Sequence, residues 1–266
     1  MSFKDKLTIV TFTNFWKEAP STWLIEKTFD SLYKNIEGLK ECRHIINFDM
    51  KNVDSEQGQY LFNLVKLKEK YNKNIEVMYK NTITKQRSKV YADIVNMIDT
   101  PYILFWEHDF ILQKSIPLDS IIKVMDSDNG INYIRFNKRE NQKASKINSI
   151  DGWFEQDPIK PIPLIKFCGY SGNPHIERTS WFNSFCRPLI NNIPVKKKNS
   201  IERAMNLYIL KEKRKRRPDD IHKEVGSYVY GNIGDSAYVK SLDIYKSKEA
   251  WGSKNPSEKW KKHNEI

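Results

Sequence analysis

Short apolar runs alternate with helical-period stretches through the first part of this chain. Leu7-Thr8-Ile9-Val10-Thr11-Phe12-Thr13 is dense in β-branched and aromatic residues and ends in the polar pair Thr13-Asn14, the pattern of a buried strand entering a loop. From Ser21 to Asn35, Trp23, Leu24, Thr28 and Leu32 recur at helical spacing behind a Ser21 cap. His44 to Asp49 reads as a second strand that stops at a carboxylate, Tyr60 to Tyr71 as a second helix and Ile75 to Tyr79 as a third strand. A helix from about Thr84 to Ile98 halts before Thr100-Pro101. The continuous apolar strand Tyr102-Ile103-Leu104-Phe105-Trp106 then breaks abruptly into Glu107-His108-Asp109. Regular alternation of this kind predicts an α/β fold with a mainly parallel sheet covered by helices on both faces.

Beyond Asp109 the pattern loosens. A helix over Leu118 to Ser127, strands at Tyr133 to Phe136 and Ile165 to Cys168, and the proline-rich stretch Pro158 to Pro163 predict a mixed second half with loops on the acceptor side. The division predicted is one domain over 1–245, with a ligand-binding half at 1–110 and a second half at 111–245, followed by a polar tail at 246–266.

Composition narrows the class. With 39% hydrophobic and 12% aromatic residues in 266, the chain can bury a substantial core. Three cysteines without CxxC spacing suggest neither a disulfide framework nor a structural zinc site. The first residues lack the apolar stretch of a secretion signal, and no run approaches the 18 apolar residues of a membrane span. A cytoplasmic protein is the expectation. A net charge of +12 favours polyanions, be they nucleic acid, anionic headgroups or a nucleotide diphosphate, and the abundance of Lys, Asn and Ile offers coding bias as a second explanation. The basic run Lys211 to Arg217 could touch an anionic membrane surface or form a solvated helix end.

In parallel α/β sheets ligands gather at the carboxyl ends of the strands, and Thr13, Asn14, Asp49 and Glu107 to Asp109 all fall there. Two carboxylates flanking one residue offer hard oxygen ligands for Mg²⁺ or Mn²⁺, and such an ion can bridge the diphosphate of a nucleotide. The alternative is a polar turn in which Asp109 caps the next helix.

On the segment from Lys85-Gln86-Arg87-Ser88 through Ala92 and Ile98 to Tyr102–Asp109, the sequence resembles the GT-A glycosyltransferases of the broad family 2-like group, in which an apolar strand runs into a DxD motif. Here the first acid is Glu, an ExD variant, and Ala92 stands about where many members carry Asn. The resemblance implies a GT-A-like fold and transfer of a sugar from a nucleoside-diphosphate sugar to a hydroxyl of a glycan, lipid-linked or protein acceptor. It further implies that Thr11, Thr13 and Asn14 line the nucleoside pocket, that Asp49 approaches the base or ribose, and that Lys85 or Arg87 faces the phosphates. On the same resemblance Glu107, His108 and Asp109 are expected to form the donor site, with Asp109 and Glu107 as metal ligands.

An inverting transferase needs a general base near the acceptor hydroxyl. Asn199-Ser200-Ile201-Glu202-Arg203, ahead of a helical pattern, resembles the helix start that supplies it, which makes Glu202 the first candidate. Glu177, in the Gly/Pro-bounded stretch Gly172 to Arg178, is the second, within a predicted acceptor loop. Gly226 to Asp235 combines glycines with aromatic rings that could stack on a sugar or base. The segment Val239 to Leu242 resembles the region where metal-dependent relatives add a His ligand, but has none, which leaves Lys240 as a possible offset for phosphate charge.

Two other functions stay open at this level. A sugar nucleotidyltransferase shares the fold plan, though Thr13-Asn14-Phe15-Trp16 lacks the Gly-rich basic loop that cradles a triphosphate. A non-catalytic basic nucleic-acid-binding protein would account for the charge, but no helix-turn-helix, RRM or zinc-finger pattern supports it.

Overall fold

A computed structural model describes residues 2–14, 22–49, 55–80, 87–142, 154–192 and 201–242. The four apolar runs of the first half become strands β1 (Leu7–Asn14), β2 (Arg43–Asp49), β3 (Ile75–Lys80) and β4 (Tyr102–Glu107). They lie parallel in the order β3-β2-β1-β4. Helices α1 (Trp23–Asn35), α2 (Ser55–Lys70) and α3 (Arg87–Val95) connect them. Both faces are covered, which is why these strands read as continuous apolar runs. One core packs β1, β2 and β4 against α1 and α2 through Phe29, Leu32, Tyr60 and Leu64. The other packs them against α3 through Val90, Tyr91 and Ile94.

The second half extends the same sheet across β4. Strands β5 (Phe110–Leu112), β6 (Tyr133–Arg135), β7 (Phe154–Asp157), β8 (Leu164–Phe167), β9 (His175–Arg178), β10 (Ser227–Tyr230) and β11 (Val239–Ser241) complete the set, with α4 (Leu118–Ser127) between β5 and β6. The nine-stranded order is β3-β2-β1-β4-β9-β6-β10-β8-β7, with β9 antiparallel to both β4 and β6. After β9 the chain forms one helical stretch, α5 (Thr179–Trp181), a π turn at Phe182–Cys186 and α6 (Arg187–Asn191). Helices α7 (Ile201–Glu212) and α8 (Pro218–Val225) complete the fold. Gly226 ends α8 at φ +61°, and a Cβ there would sit 2.2 Å from the Gly130 carbonyl oxygen, so only glycine lets β10 dock beside β6.

Several boundaries differ from expectation. Ser21 lies outside the described residues, and Thr22 stands at the N-cap of α1. Helix α3 is described from Arg87, and Thr84, Lys85 and Gln86 lie outside the described residues, as does the tail 246–266. The predicted acceptor loop around Glu177 is instead strand β9, and the glycine-aromatic stretch holds strand β10, whose Tyr228 and Tyr230 are buried. Both are short strands whose pairing partners are distant in sequence, so local pattern alone gives no sign of them. Among the described residues no helix is long and apolar enough to cross a membrane.

Candidate active site

Strand order reverses between β1 and β4: one crossover runs outward to β2 and β3, the next returns to the other side of β1. Loops diverge at such a switch point and leave a crevice at the strand carboxyl ends. Asn14, Asp49 and Glu107 stand there, Asn14 and Asp49 as direct cross-strand neighbours and Phe12 opposite Glu107.

A pocket of about 130 Å³ opens beside this point. Its buried floor is Phe12, Tyr91, Phe105, Tyr170 and His175, and its rim carries Arg87, Glu107 and Glu202. Glu107 Oε1 accepts a charged hydrogen bond from Arg87 Nη2 at 2.8 Å, and the Arg87 guanidinium lies 5.1 Å over the Phe12 ring. Glu202, at the start of α7, accepts from the Gly172 amide at 3.3 Å. A Cβ on Gly172 would lie 3.8 Å from Glu107 Oε1 and 3.8 Å from Glu202 Oε2, so the two carboxylates stand beside this one glycine, at no more than twice that distance from each other. Asn206 of α7 holds the same loop by accepting from the Tyr170 amide at 3.3 Å and donating to the Tyr170 carbonyl at 3.4 Å.

The turn after β4 is fixed from three sides. The His108 amide donates to the Phe12 carbonyl at 3.2 Å and its Nδ1 lies 3.0 Å from the same oxygen, while Thr28 Oγ1 donates to the His108 carbonyl at 2.7 Å. Burial lowers the His108 pKa and keeps the ring neutral, so Nδ1 carries the proton that Phe12 accepts. Asp109 Oδ2 accepts from Ser241 Oγ at 3.2 Å, and its carbonyl accepts from the Leu242 amide at 2.7 Å. The small antiparallel pair β5–β11 thus brings to Asp109 the segment that resembles the His-bearing region of metal-dependent relatives, with Ser241 there and no His.

Asp109 Oδ1 is buried without a hydrogen-bond partner. Among the described residues no group of three His, Cys, Asp or Glu side chains is placed to hold a metal ion. Asp109 Oδ1 is a hard oxygen of the kind that Mg²⁺ and Mn²⁺ take as a ligand, and it would be one such ligand if an ion bound here. Glu107, the second predicted ligand, has its Oε1 engaged by Arg87.

Thr11 and Thr13 face away from the pocket floor, on the α1/α2 side of β1. Thr11 Oγ1 bonds His44 Nε2 and Thr13 Oγ1 bonds the Tyr60 hydroxyl, each at 2.8 Å, and both threonines are buried. Lys85 lies outside the described residues. In the basic run, Arg216 pairs with Glu224 and Arg217 with Asp220, as at a solvated helix end.

Glu177 is fully buried beneath the floor and is bonded by the Tyr91 hydroxyl at 2.5 Å and the Tyr170 hydroxyl at 3.2 Å. Burial raises its pKa to about 7 and lowers that of neighbouring His175 to about 3. His175 Nε2 approaches Glu177 at 3.8 Å as a neutral ring, not as an ion-pair partner. Sequence patterning missed Tyr91 and Tyr170, although His175-Ile176-Glu177 places two polar residues at strand spacing on one buried face, a signal that could have flagged them. It also missed Asn47, fully buried on β2 with neither side-chain polar atom bonded.

No family model matches the sequence, and neither does any curated protein. Solved structures do. S. aureus TarS aligns over 91% of this chain at 12% identity with a TM-score of 0.52, and its 1–349 fragment over 91% at 12% identity with 0.51. This chain spans 37% of the length of the first and 66% of the second. A mannosyltransferase from Pyrobaculum calidifontis aligns over 85% of this chain and 56% of its own at 8% identity, with a TM-score of 0.47. Through the TarS likeness, and with its parallel sheet, crossover helices and switch-point crevice, the chain has the α/β fold of the GT-A glycosyltransferases.

Proposed function

We propose that this protein is an inverting glycosyltransferase that uses a nucleoside-diphosphate sugar. The observation that supports the proposal is the pair Glu107 and Glu202, both beside Gly172 at the rim of a pocket next to the switch point. Structures of the TarS 1–349 fragment in complex with UDP-GlcNAc and with UDP concern ligands of the same class.

The donor diphosphate lies along the carboxyl ends of β1 and β4, near Arg87 and Asp109, and its sugar enters the pocket. Arg87 supplies positive charge toward the phosphates while its link to Glu107 fixes its direction. A divalent cation held by Asp109 would neutralise charge developing on the leaving diphosphate. Glu202, exposed at the rim and oriented by the Gly172 amide, takes the proton of the acceptor hydroxyl. The acceptor oxygen then bonds to the anomeric carbon from the face opposite the diphosphate, the bond from that carbon to the diphosphate oxygen breaks, and the nucleoside diphosphate departs with the electron pair. The acceptor hydroxyl belongs to a glycan, a lipid-linked sugar or a protein side chain.

Thermal melts with UDP, GDP, dTDP and CMP and their sugar conjugates, each with and without Mn²⁺, test donor use. A ligand at 100 times its Kd stabilises the native state by about 2.7 kcal/mol, a readily measured shift. One nucleotide class should raise the melting temperature, and a flat response to all of them refutes the proposal.

A further inference from the structure

Three side chains distant in sequence meet under the pocket floor: Tyr91 from α3, Tyr170 from the loop after β8, and Glu177 from β9. Both tyrosine rings line the pocket, whereas Glu177 is fully buried and does not. Both hydroxyls reach the one carboxylate, and that of Tyr170 also lies 3.3 Å from His175 Nε2. The pocket therefore meets ring carbon at these positions, continuous with Phe12 and Phe105, which pack on Tyr91 at centroid distances of 5.9 and 5.3 Å. His175 stacks on Phe105 at 4.9 Å and 19° and holds its Nδ1 2.7 Å from the Asn173 carbonyl, which adds its ring to the aromatic floor.

A fully buried carboxyl group without a cationic partner is costly, and an apolar residue of similar size would pack there without that penalty. Two hydroxyls directed at one carboxylate fix two rings in a way that apolar packing alone does not. An apolar floor under a charged rim also suits a ligand with one C–H face and an edge of hydroxyls, which describes a pyranose ring.

We propose, taking glycosyl transfer as the activity, that Glu177 is a positioning residue for sugar binding, which holds Tyr91 and Tyr170 as the stacking floor for the C–H face of the sugar. It touches no substrate. The groups facing it are Tyr91, Tyr170, Tyr133, His175 and Cys186.

Calorimetric titration of the full chain with UDP, UDP-GlcNAc, GDP and GDP-mannose separates the nucleotide contribution from that of the sugar. In Tyr91→Phe/Tyr170→Phe, which keeps the rings and removes their anchors, affinity for the nucleotide sugar should fall about tenfold, while that for the bare nucleotide changes less than about twofold. Glu177→Gln, which accepts from one hydroxyl and donates to the other, should stay within about threefold of wild type for both. Should the double variant prove unfolded in a thermal melt, Tyr170→Phe alone carries the same comparison. Equal losses for nucleotide and nucleotide sugar, or none for the sugar, overturn the positioning role. Absence of any nucleotide binding by the wild type overturns the transferase function itself, and the positioning role with it.

Discussion

Replacing Glu177 by Gln should change how stability depends on pH, and burial sets the size of the effect. The carboxyl is shut away from solvent, and burial pushes it from an ordinary 4.5 up to about 7, with the two tyrosine hydrogen bonds acting in the opposite direction. A carboxyl that holds its proton more tightly in the folded chain than in the unfolded one favours folding while both forms are protonated. That contribution is complete below pH 4.5 and is lost as pH rises through 7. At about 1.4 kcal/mol per pH unit, wild type loses about 3 kcal/mol over this window, and a glutamine, which does not titrate, loses none. The unfolding free energy of Glu177→Gln minus that of wild type should therefore climb by about 3 kcal/mol between pH 4.5 and 8, whatever its starting offset. Subtraction is essential, because buried His44 and His175, lowered to about 3, and His222, lowered to about 4, act in the reverse sense: they favour the folded state above pH 6.5 and oppose it as pH falls. Urea titrations at half-unit pH intervals give both curves. A difference that stays flat across the window would show that Glu177 holds no raised pKa.

Other consequences are equally specific. Gly172→Ala leaves the backbone unstrained, since the new methyl meets only ordinary contacts at 3.8 Å, but it touches both Glu107 and Glu202. Melting temperature should change little, while kcat/KM falls roughly tenfold or more through misplaced substrate. Asn47→Val removes two buried, unbonded polar atoms from β2 and should stabilise the chain by about 1 kcal/mol in denaturant titrations; destabilisation would mean that Asn47 has a partner in solution. Asp109→Asn should keep the fold and lower the affinity for Mn²⁺, followed by the paramagnetic signal of the free ion, whereas unchanged affinity would remove Asp109 as a ligand.

The first half of the fold was legible because β1, β2 and β4 are buried on both faces, and such strands announce themselves as unbroken apolar runs. Glu107-His108-Asp109 stood out because polar residues came after such a run without transition. Much of the second half was not legible for a physical reason. Strands β5, β9 and β11 have only three or four residues, too few to establish a period, and their stability comes from partners far along the chain. The same holds for the site. Arg87 reaches Glu107 across 20 residues and Tyr91 reaches Glu177 across 86, and no local pattern encodes either meeting. Glu202 is legible through the likeness of its helix start to a family, and its place near Glu107 emerges only once the Gly172 loop is folded against α7.

The proposed transfer reaction is tested most directly by monitoring release of nucleoside diphosphate from the nucleotide sugar that stabilises wild type, in wild type and in Glu202→Gln side by side. Wild type should turn over, with release accelerated by an acceptor sugar, and Glu202→Gln should be slower by about 10² to 10⁴ while binding the nucleotide sugar with unchanged affinity. Equal turnover by the two proteins would remove Glu202 as the base, and no release by wild type with any donor would contradict the transferase function.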